Sequence, residues 1–329
     1  MIKSIKIKYC ILFYKVLLIQ HMPNYFLYYI LMSGILSNAL RLIPRMGNKI
    51  ITQGLSNIPD VKASSRLLSE RFWRIDQQTM RTMDKILDLY REERIDAASF
   101  HGVDGYGYGD IGREKLDVIL AKLLGAEAAV VRLQFFSGTH AIASALFGAL
   151  RPGDNILCCT GQPYDTLEEV IGLRNGHQTG SKVGSLLDWG IGYQQINLLE
   201  DSDAKIENGE QVAFDLSTID KCLEKDPKIK LLHVQRSCGY QWRPSIPVLE
   251  IGRLCEHINK KYKSKGRDIL VFVDNCYGEL VEEIEPCHVG ADICAGSLIK
   301  NLGGTLAPSG NIHLKKNADE RNLLPLIDS

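Results

Sequence analysis

The chain has 329 residues, with 39 lysines and arginines against 39 aspartates and glutamates. A formal charge of zero argues against a nucleic-acid binder, which normally carries a basic excess. The nine cysteines are an odd number and contain no Cys-x-x-Cys pair, which speaks against a disulfide framework or a zinc site and for reduced, buried thiols.

No acidic residue occurs before Asp60. Lys3, Lys6, Lys8 and Lys15 surround the apolar runs Ile11-Leu12-Phe13 and Val16-Leu17-Leu18-Ile19, and residues 25–40 are nearly all apolar. Such a leader fits an organelle-targeting peptide, a membrane anchor or a poorly ordered extension. The apolar run falls short of the roughly 20 residues that a membrane span needs. Residues 1–60 are therefore set apart as an N-terminal extension, and membrane contact is expected only through residues 1–45. The expected location is the cytoplasm, or a plastid or mitochondrion if the leader is a targeting signal.

Asp76 to Arg94 is predicted to be a helix, because Met80, Met83, Leu87 and Tyr90 recur every three or four residues. A Gly-rich loop follows over residues 97–112, so 61–112 form a helix-and-loop segment. A helix is expected from Arg113 to Leu124, closed by Gly125. From there strands and helices alternate. Strands are expected at 128–136, 156–160, 193–198, 231–235, 269–274 and, as the last clear one, 292–297. Helices are expected at 139–150, 164–173, 217–225 (with Ser217 as N-cap) and 248–262. Residues 199–209 read as a charged loop. Alternation of this kind predicts an α/β fold with a mainly parallel sheet. Its strands are continuously apolar, as when helices cover both faces. Ligands of such sheets bind beyond the carboxyl ends of the strands.

Four stretches can carry chemistry. Gly107 to Gly112 spells G-x-G-x-x-G, but a polar loop rather than a strand precedes it, so a dinucleotide site is disfavoured. Ser137-Gly138-Thr139 follows a buried strand and opens an apolar helix, where free N–H groups, hydroxyls and the helix dipole suit an anion, although an ordinary N-cap gives the same pattern. Tyr164 stands beside a strand end, where it could stack on a planar ring or merely begin a helix. The fourth is a pair. Asp274 ends the most apolar strand, and Lys300 follows the nearly apolar run 295–299. A desolvated lysine amine loses proton affinity and becomes nucleophilic, and a carboxylate can hold a pyridinium nitrogen protonated. Together they suggest a Schiff-base lysine and ring-nitrogen partner for pyridoxal phosphate. No cluster with metal-ligand spacing is seen, so no metal site is expected.

Seven stretches then fall in order: residues 106–113 (YGYGDIGR), 137–143 (SGTHAIA), 151–154 (RPGD), 161–170 (GQPYDTLEEV), 235–245 (QRSCGYQWRPS), 273–279 (VDNCYGE) and 296–301 (GSLIKN). Together they resemble the aluminium-resistance, methionine gamma-lyase-like family of Cys/Met-metabolism enzymes, across about residues 70–314. The resemblance implies a fold-type I pyridoxal-phosphate transferase-like large domain over 113–314, with a seven-stranded-type sheet. It implies a carbon–sulfur lyase acting on a small sulfur amino acid. Lys300 would carry the Schiff base and abstract the substrate Cα proton. Asp274 would pair with the ring nitrogen. Ser137, Gly138, Thr139 and Ser297 would hold the phosphate. Tyr164 would stack on the ring and assist proton transfer. Tyr106 and Tyr108 would reach a neighbouring subunit's phosphate site, implying a homodimer or homotetramer. Arg236 would lie near the cofactor's hydroxyl side. Family members continue into a smaller domain whose arginine holds the substrate carboxylate. Residues 301–329 are too few for it, so a missing small domain and a truncated tail over 315–329 are expected. The alternative is a truncated paralogue that binds cofactor or a partner without turnover.

Overall fold

The computed structural model describes residues 59–103, 109–174, 182–199, 206–207, 210–211, 213–302 and 310–314. The leader with its targeting and anchor readings, Tyr106, Tyr108 and the tail 315–329 lie outside the described residues. Contacts divide the chain into two units, Met1–Gln77 and Gln78–Ser329.

Helix α1 (Pro59–Glu92) begins in the first unit and runs into the second. It starts well before Asp76, the expected beginning. Proline presets the helical φ at a first helical position, and no glycine or proline interrupts the chain from Asp60 to Glu92. Within the first unit, Glu70 and Arg74 pair one helical turn apart at 2.7 Å, with both side chains exposed.

In the second unit, α2 (Ile111–Leu124) is capped by Asp110, which accepts the Arg113 N–H at 3.0 Å. It ends at Gly125, whose φ of 72° is left-handed. A side chain at Gly125 would also run into the His288 ring. The remaining elements are β1 (Ala128–Arg132), α3 (Gly138–Ala149), β2 (Asn155–Cys158), α4 (Asp165–Ile171), β3 (Gly192–Gln195), β4 (Ile206–Glu207), β5 (Glu210–Gln211), α5 (Leu216–Lys225), β6 (Ile229–Gln235), α6 (Val248–Lys261), β7 (Leu270–Asp274), β8 (Ile293–Ser297) and β9 (Gly310–Leu314). The main sheet has the order β1-β9-β8-β7-β6-β2-β3. Strands β8, β7, β6, β2 and β3 are parallel, and β9 runs antiparallel between β8 and β1.

Strand β7 shows why the sheet must be covered on both sides. Leu270 and Phe272 pack with Ala141, Leu146 and Leu167 of α3 and α4. Val271 and Val273 point the other way, into Ile219 of α5 and Ile251, Leu254 and Ile258 of α6. All five residues of β7 are buried. A third cluster joins α2 and Leu89 of α1 to Ala129 and Val131 of β1. The expected α/β class and parallel order are therefore present. No described helix is long and apolar enough to cross a membrane.

Three local expectations are corrected. The helix near 217 is capped by Asp215, not Ser217: the Asp215 carboxylate accepts the Thr218 N–H at 3.0 Å and its hydroxyl at 2.6 Å. The supposed charged loop contains the two-stranded hairpin β4–β5. The last strand among the described residues is β9, which is short and is held by backbone pairing on both sides rather than by a long apolar run.

Phe272 is fully buried and stacks on His233 at 5.5 Å. Phe272→Ala should cost about 3–5 kcal/mol, read from the urea midpoint at unchanged slope. Lys260→Ala, which removes one side of an exposed pair with Glu256, should change stability by less than ~0.5 kcal/mol.

Candidate functional site

The carboxyl ends of β6, β7 and β8 face the start of α3 across a cavity of about 130 Å³. Its walls include Ser137, Gly138 and Thr139 at the start of α3, Tyr164 and Thr166 at the start of α4, Gln235 and Ser237 at and after the end of β6, Asp274, Cys276 and Tyr277 at and after the end of β7, and Ser297 and Lys300 at and after the end of β8. The topology therefore brings together most residues that the sequence singled out.

Asp274 is the last residue of β7 and is 5% exposed. Its carboxylate accepts the Cys276 N–H at 3.0 Å. Burial raises its pKa, while the Cys276 hydrogen bonds and the charges of Lys300 and Arg243 oppose the rise. A cationic ligand atom placed beside it would restore the charge balance that burial removes.

Lys300 sits in the turn after β8, its N–H donating to the Ser297 carbonyl at 3.3 Å. Its ammonium lies 4.0 Å from the centroid of the Tyr277 ring, over the ring face. The sequence led us to expect a lysine whose proton affinity desolvation lowers. Burial does act in that direction, but the Tyr277 phenol and the neighbouring Cys276 and Asp274 outweigh it, and the pKa is raised. The lysine is only partly buried, so attraction to its neighbours wins over desolvation.

The opposite end suits an anion. Ser137 caps α3 by accepting the His140 N–H at 3.1 Å. Thr139 and Thr166 share a hydroxyl contact of 2.7 Å. The helix N-terminus offers unpaired N–H groups and the positive end of its dipole. Ser297 is 1% exposed, and its hydroxyl has no hydrogen-bond partner among the described residues. Gly138 is required by contact: a Cβ there would lie 2.9 Å from Cys276 Sγ and 3.0 Å from Ser297 Cβ. A buried donor without a partner, beside a helix start that tolerates only glycine, is a suitable cradle for a phosphate.

Tyr164 stacks on Tyr240, with ring centroids 5.3 Å apart, and donates its hydroxyl to Tyr240 at 3.1 Å. That bond, with burial adding to it, pushes the Tyr164 phenol up to about 12. Arg236 does not reach the cavity, contrary to expectation. Its guanidinium turns the other way and donates to Asn275 Oδ1 at 2.8 Å, the Gly278 carbonyl at 2.7 Å and Glu282 at 2.5 Å, with Glu285 at 3.7 Å. A buried cation goes where carboxylates and carbonyls satisfy it, and here they lie on the loop after β7. Tyr106 and Tyr108 lie outside the described residues. The described part of the glycine-rich stretch, residues 109–112, contributes the cap of α2.

In the sequence, Gln235, Cys276, Tyr277 and Glu279 fall inside the family-like stretches, but none of them carries an expected role in the site. Tyr277 has a left-handed φ of 67°, unusual for a residue with a side chain. Only its place in the turn Asn275-Cys276-Tyr277-Gly278 hinted at it. Gln235 is buried, and its carbonyl oxygen has no hydrogen-bond partner among the described residues. Glu279 is 1% exposed, and burial, with Asp274 and Glu285 nearby, raises its pKa to about 7 against the Ser297 N–H that it accepts.

Because the folded pKa of Glu279 exceeds its unfolded value, its contribution to stability is complete below about pH 4.5 and is lost as the pH rises through about 7. The wild type should therefore lose up to about 3 kcal/mol relative to Glu279→Gln between these limits, read from urea midpoints at several pH values. Parallel pH dependence in the two proteins would contradict this assignment. Gly138→Val should leave the far-ultraviolet dichroism intact yet lower affinity for a phosphate-bearing ligand by roughly tenfold or more, by calorimetric titration, since the new side chain fills the cradle.

Residues 59–319 match the family model described as methionine gamma-lyase. The uncharacterized protein YnbB of Bacillus subtilis is 47% identical over 236 residues, covering 72% of this chain and 51% of YnbB. A solved carbon–sulfur lyase involved in aluminum resistance from Clostridium novyi is 40% identical with a TM-score of 0.68, covering 78% of this chain and 56% of that one. A Listeria innocua structure, described as a candidate cystathionine beta-lyase involved in aluminum resistance, is also 40% identical, with a TM-score of 0.68 over 81% of this chain and 59% of that one. The chain thus spans about half the length of the curated relatives it matches. With a five-stranded parallel sheet of the fold-type I large-domain kind and a match over most of its length, the chain belongs to the methionine gamma-lyase family.

Proposed function

We propose that this protein is a pyridoxal-phosphate-dependent carbon–sulfur lyase acting on a sulfur amino acid, with Lys300 as the lysine that carries the cofactor. The observation that supports it most is the pairing, in one cavity, of a buried carboxylate at the end of β7 with a lysine three residues past the end of β8. An unpartnered hydroxyl and a helix start lie at the far end. When bound, pyridoxal phosphate supplies an electron sink for the carbanion that forms at the substrate Cα.

The chain's own residues divide the remaining work. Ser297, Ser137 and the N–H groups of Gly138 and Thr139 bind the phosphate. Asp274 keeps the ring nitrogen protonated, a task suited to a carboxylate whose burial gains from a cationic partner. Lys300 moves the Cα proton. Tyr164, a phenol that is protonated at neutral pH and lines the cavity, acts as a donor to a leaving sulfur. We further assign a homodimer or homotetramer, in which Tyr106 and Tyr108 complete a neighbouring subunit's phosphate site.

A second reading is favoured by one observation. Lys300 is the one cationic side chain lining the described cavity. The Arg243 guanidinium is turned to the carbonyls of Gln235, Ser237 and Pro244. The described residues thus hold the cofactor's groups better than they hold a substrate carboxylate, as in a protein that binds cofactor without turnover.

Incubation with pyridoxal phosphate followed by borohydride should place a pyridoxyl group on Lys300, read by peptide mass, and none on Lys300→Ala. Asp274→Ala should weaken cofactor affinity by about 10–100-fold, the usual cost of losing a charged hydrogen bond. An unlabelled wild type would overturn the cofactor assignment. Release of a 2-oxo acid and a thiol from methionine or cystathionine decides between the two readings.

A further inference from the structure

Glu279 lies in the loop between β7 and β8, outside the cavity wall, and has no place in the chemistry above. Its carboxylate is nevertheless buried and directed at the end of β8: Oε1 accepts the Ser297 N–H at 3.1 Å. Its second oxygen, Oε2, is buried without a partner among the described residues. Behind it, Asn301 Nδ2 donates to the Glu279 carbonyl at 3.0 Å and to the Tyr277 carbonyl at 2.8 Å. The segment 297–301 is therefore fastened to the loop at both ends, with Lys300 between the two fastenings. Resting on the cofactor reading of the site, we propose that Glu279 is the positioning residue of the phosphate end: through the Ser297 N–H it fixes the residue whose free hydroxyl meets the phosphate.

The electrostatics give this role a direction. The groups that face Glu279 are Asp274 at the end of β7, Cys276 beside it and Glu285 farther along the loop. Arg236 is engaged by Glu282 and Glu285, and Lys300 lies over Tyr277. From the α3 side, Gly138 reaches Ser297 and Cys276 and brings no charge. Glu279 therefore sits among carboxylates, and a phosphate at Ser297 adds a further negative charge. Anion binding favours the protonated carboxyl, so binding of the phosphate takes up a proton. With Glu279 already raised to about 7, phosphate affinity should rise as the pH falls through neutrality. The carboxyl still accepts the Ser297 N–H when protonated, so the positioning bond survives while the repulsion disappears.

Pyridoxal phosphate and pyridoxal, which lacks the phosphate, separate this role from a merely structural one. Affinities of both are measured on the wild type, Glu279→Ala and Glu279→Gln from pH 6 to 8, with borohydride trapping at Lys300 as the count of occupied sites. Glu279→Ala should reduce the preference for pyridoxal phosphate over pyridoxal by roughly tenfold or more, leaving pyridoxal affinity unchanged. Glu279→Gln, whose amide oxygen can still accept the Ser297 N–H, should keep the preference and lose the pH dependence seen for the phosphorylated ligand in the wild type. The glutamine variant also covers the case in which Glu279→Ala does not fold. Equal loss of both ligands, an unchanged preference in Glu279→Ala, or a pH profile in Glu279→Gln identical to the wild type would each overturn the role of Glu279 and leave the cofactor reading standing. A wild type that traps neither ligand at Lys300 would overturn the cofactor reading itself, and this role with it.

Discussion

The loop that follows β7 depends on one buried cation. Arg236, at the end of β6, is 3% exposed, and its guanidinium binds Asn275, the Gly278 carbonyl and Glu282, with Glu285 close by. Each partner is itself engaged. Asn275 donates to Glu285 at 2.9 Å, Glu285 accepts the Leu280 N–H at 2.7 Å, and Glu282 accepts the Val248 N–H at the start of α6 at 3.1 Å. A charge this far from water is tolerable only when every donor is used, and breaking one side of such a network typically costs 3–5 kcal/mol. The network ties the ends of two adjacent strands to the first turn of a helix on one face of the sheet. Arg236 thus serves the cavity from behind, by shaping the loop that forms its wall.

That shape includes strain. Tyr277 and Leu280 both have left-handed backbones, with φ of 67° and 61°. Each such residue costs of order 1–3 kcal/mol and persists only where its surroundings over-determine it. Here the Gly278 N–H donates to the Asn275 carbonyl, Asn301 holds the Tyr277 carbonyl, and Glu285 holds the Leu280 N–H. The result turns the Tyr277 ring under the Lys300 ammonium.

What the sequence made legible was local. The turn Ser137-Gly138-Thr139 after an apolar strand pointed to the start of α3, and the apolar runs ending at Asp274 and near Lys300 pointed to two strand ends on one side of a parallel sheet. Those inferences need only neighbours in the chain. What escaped was long-range. The Tyr164–Tyr240 pair joins residues 76 apart. The direction of the Arg236 side chain is chosen by carboxylates 46 and 49 positions away. The proton affinity of Lys300 depends on Tyr277, Cys276 and Asp274, whereas local composition suggested only desolvation. The cap of α5 was misassigned for a smaller reason: Asp215 and Ser217 are both good caps two residues apart, and only the observed hydrogen bond distinguishes them.

Strand β9 sets the order in which the sheet can be assembled. β1 is an edge strand, and its neighbour in the sheet is β9, with Ala128 opposite Leu314 and Arg132 opposite Gly310. Among the described residues, the first strand of the sheet in chain order therefore has its place made by the last. Until residues 310–314 leave the ribosome, β1 can lean on α2 through Ala129 and Val131, but its backbone groups have no ladder to join. Pairings so distant in sequence form late and slowly. The walls of the cavity come from α3, α4 and the ends of β6, β7 and β8, so β9 gives β1 its place beside β8 without adding a residue to the site.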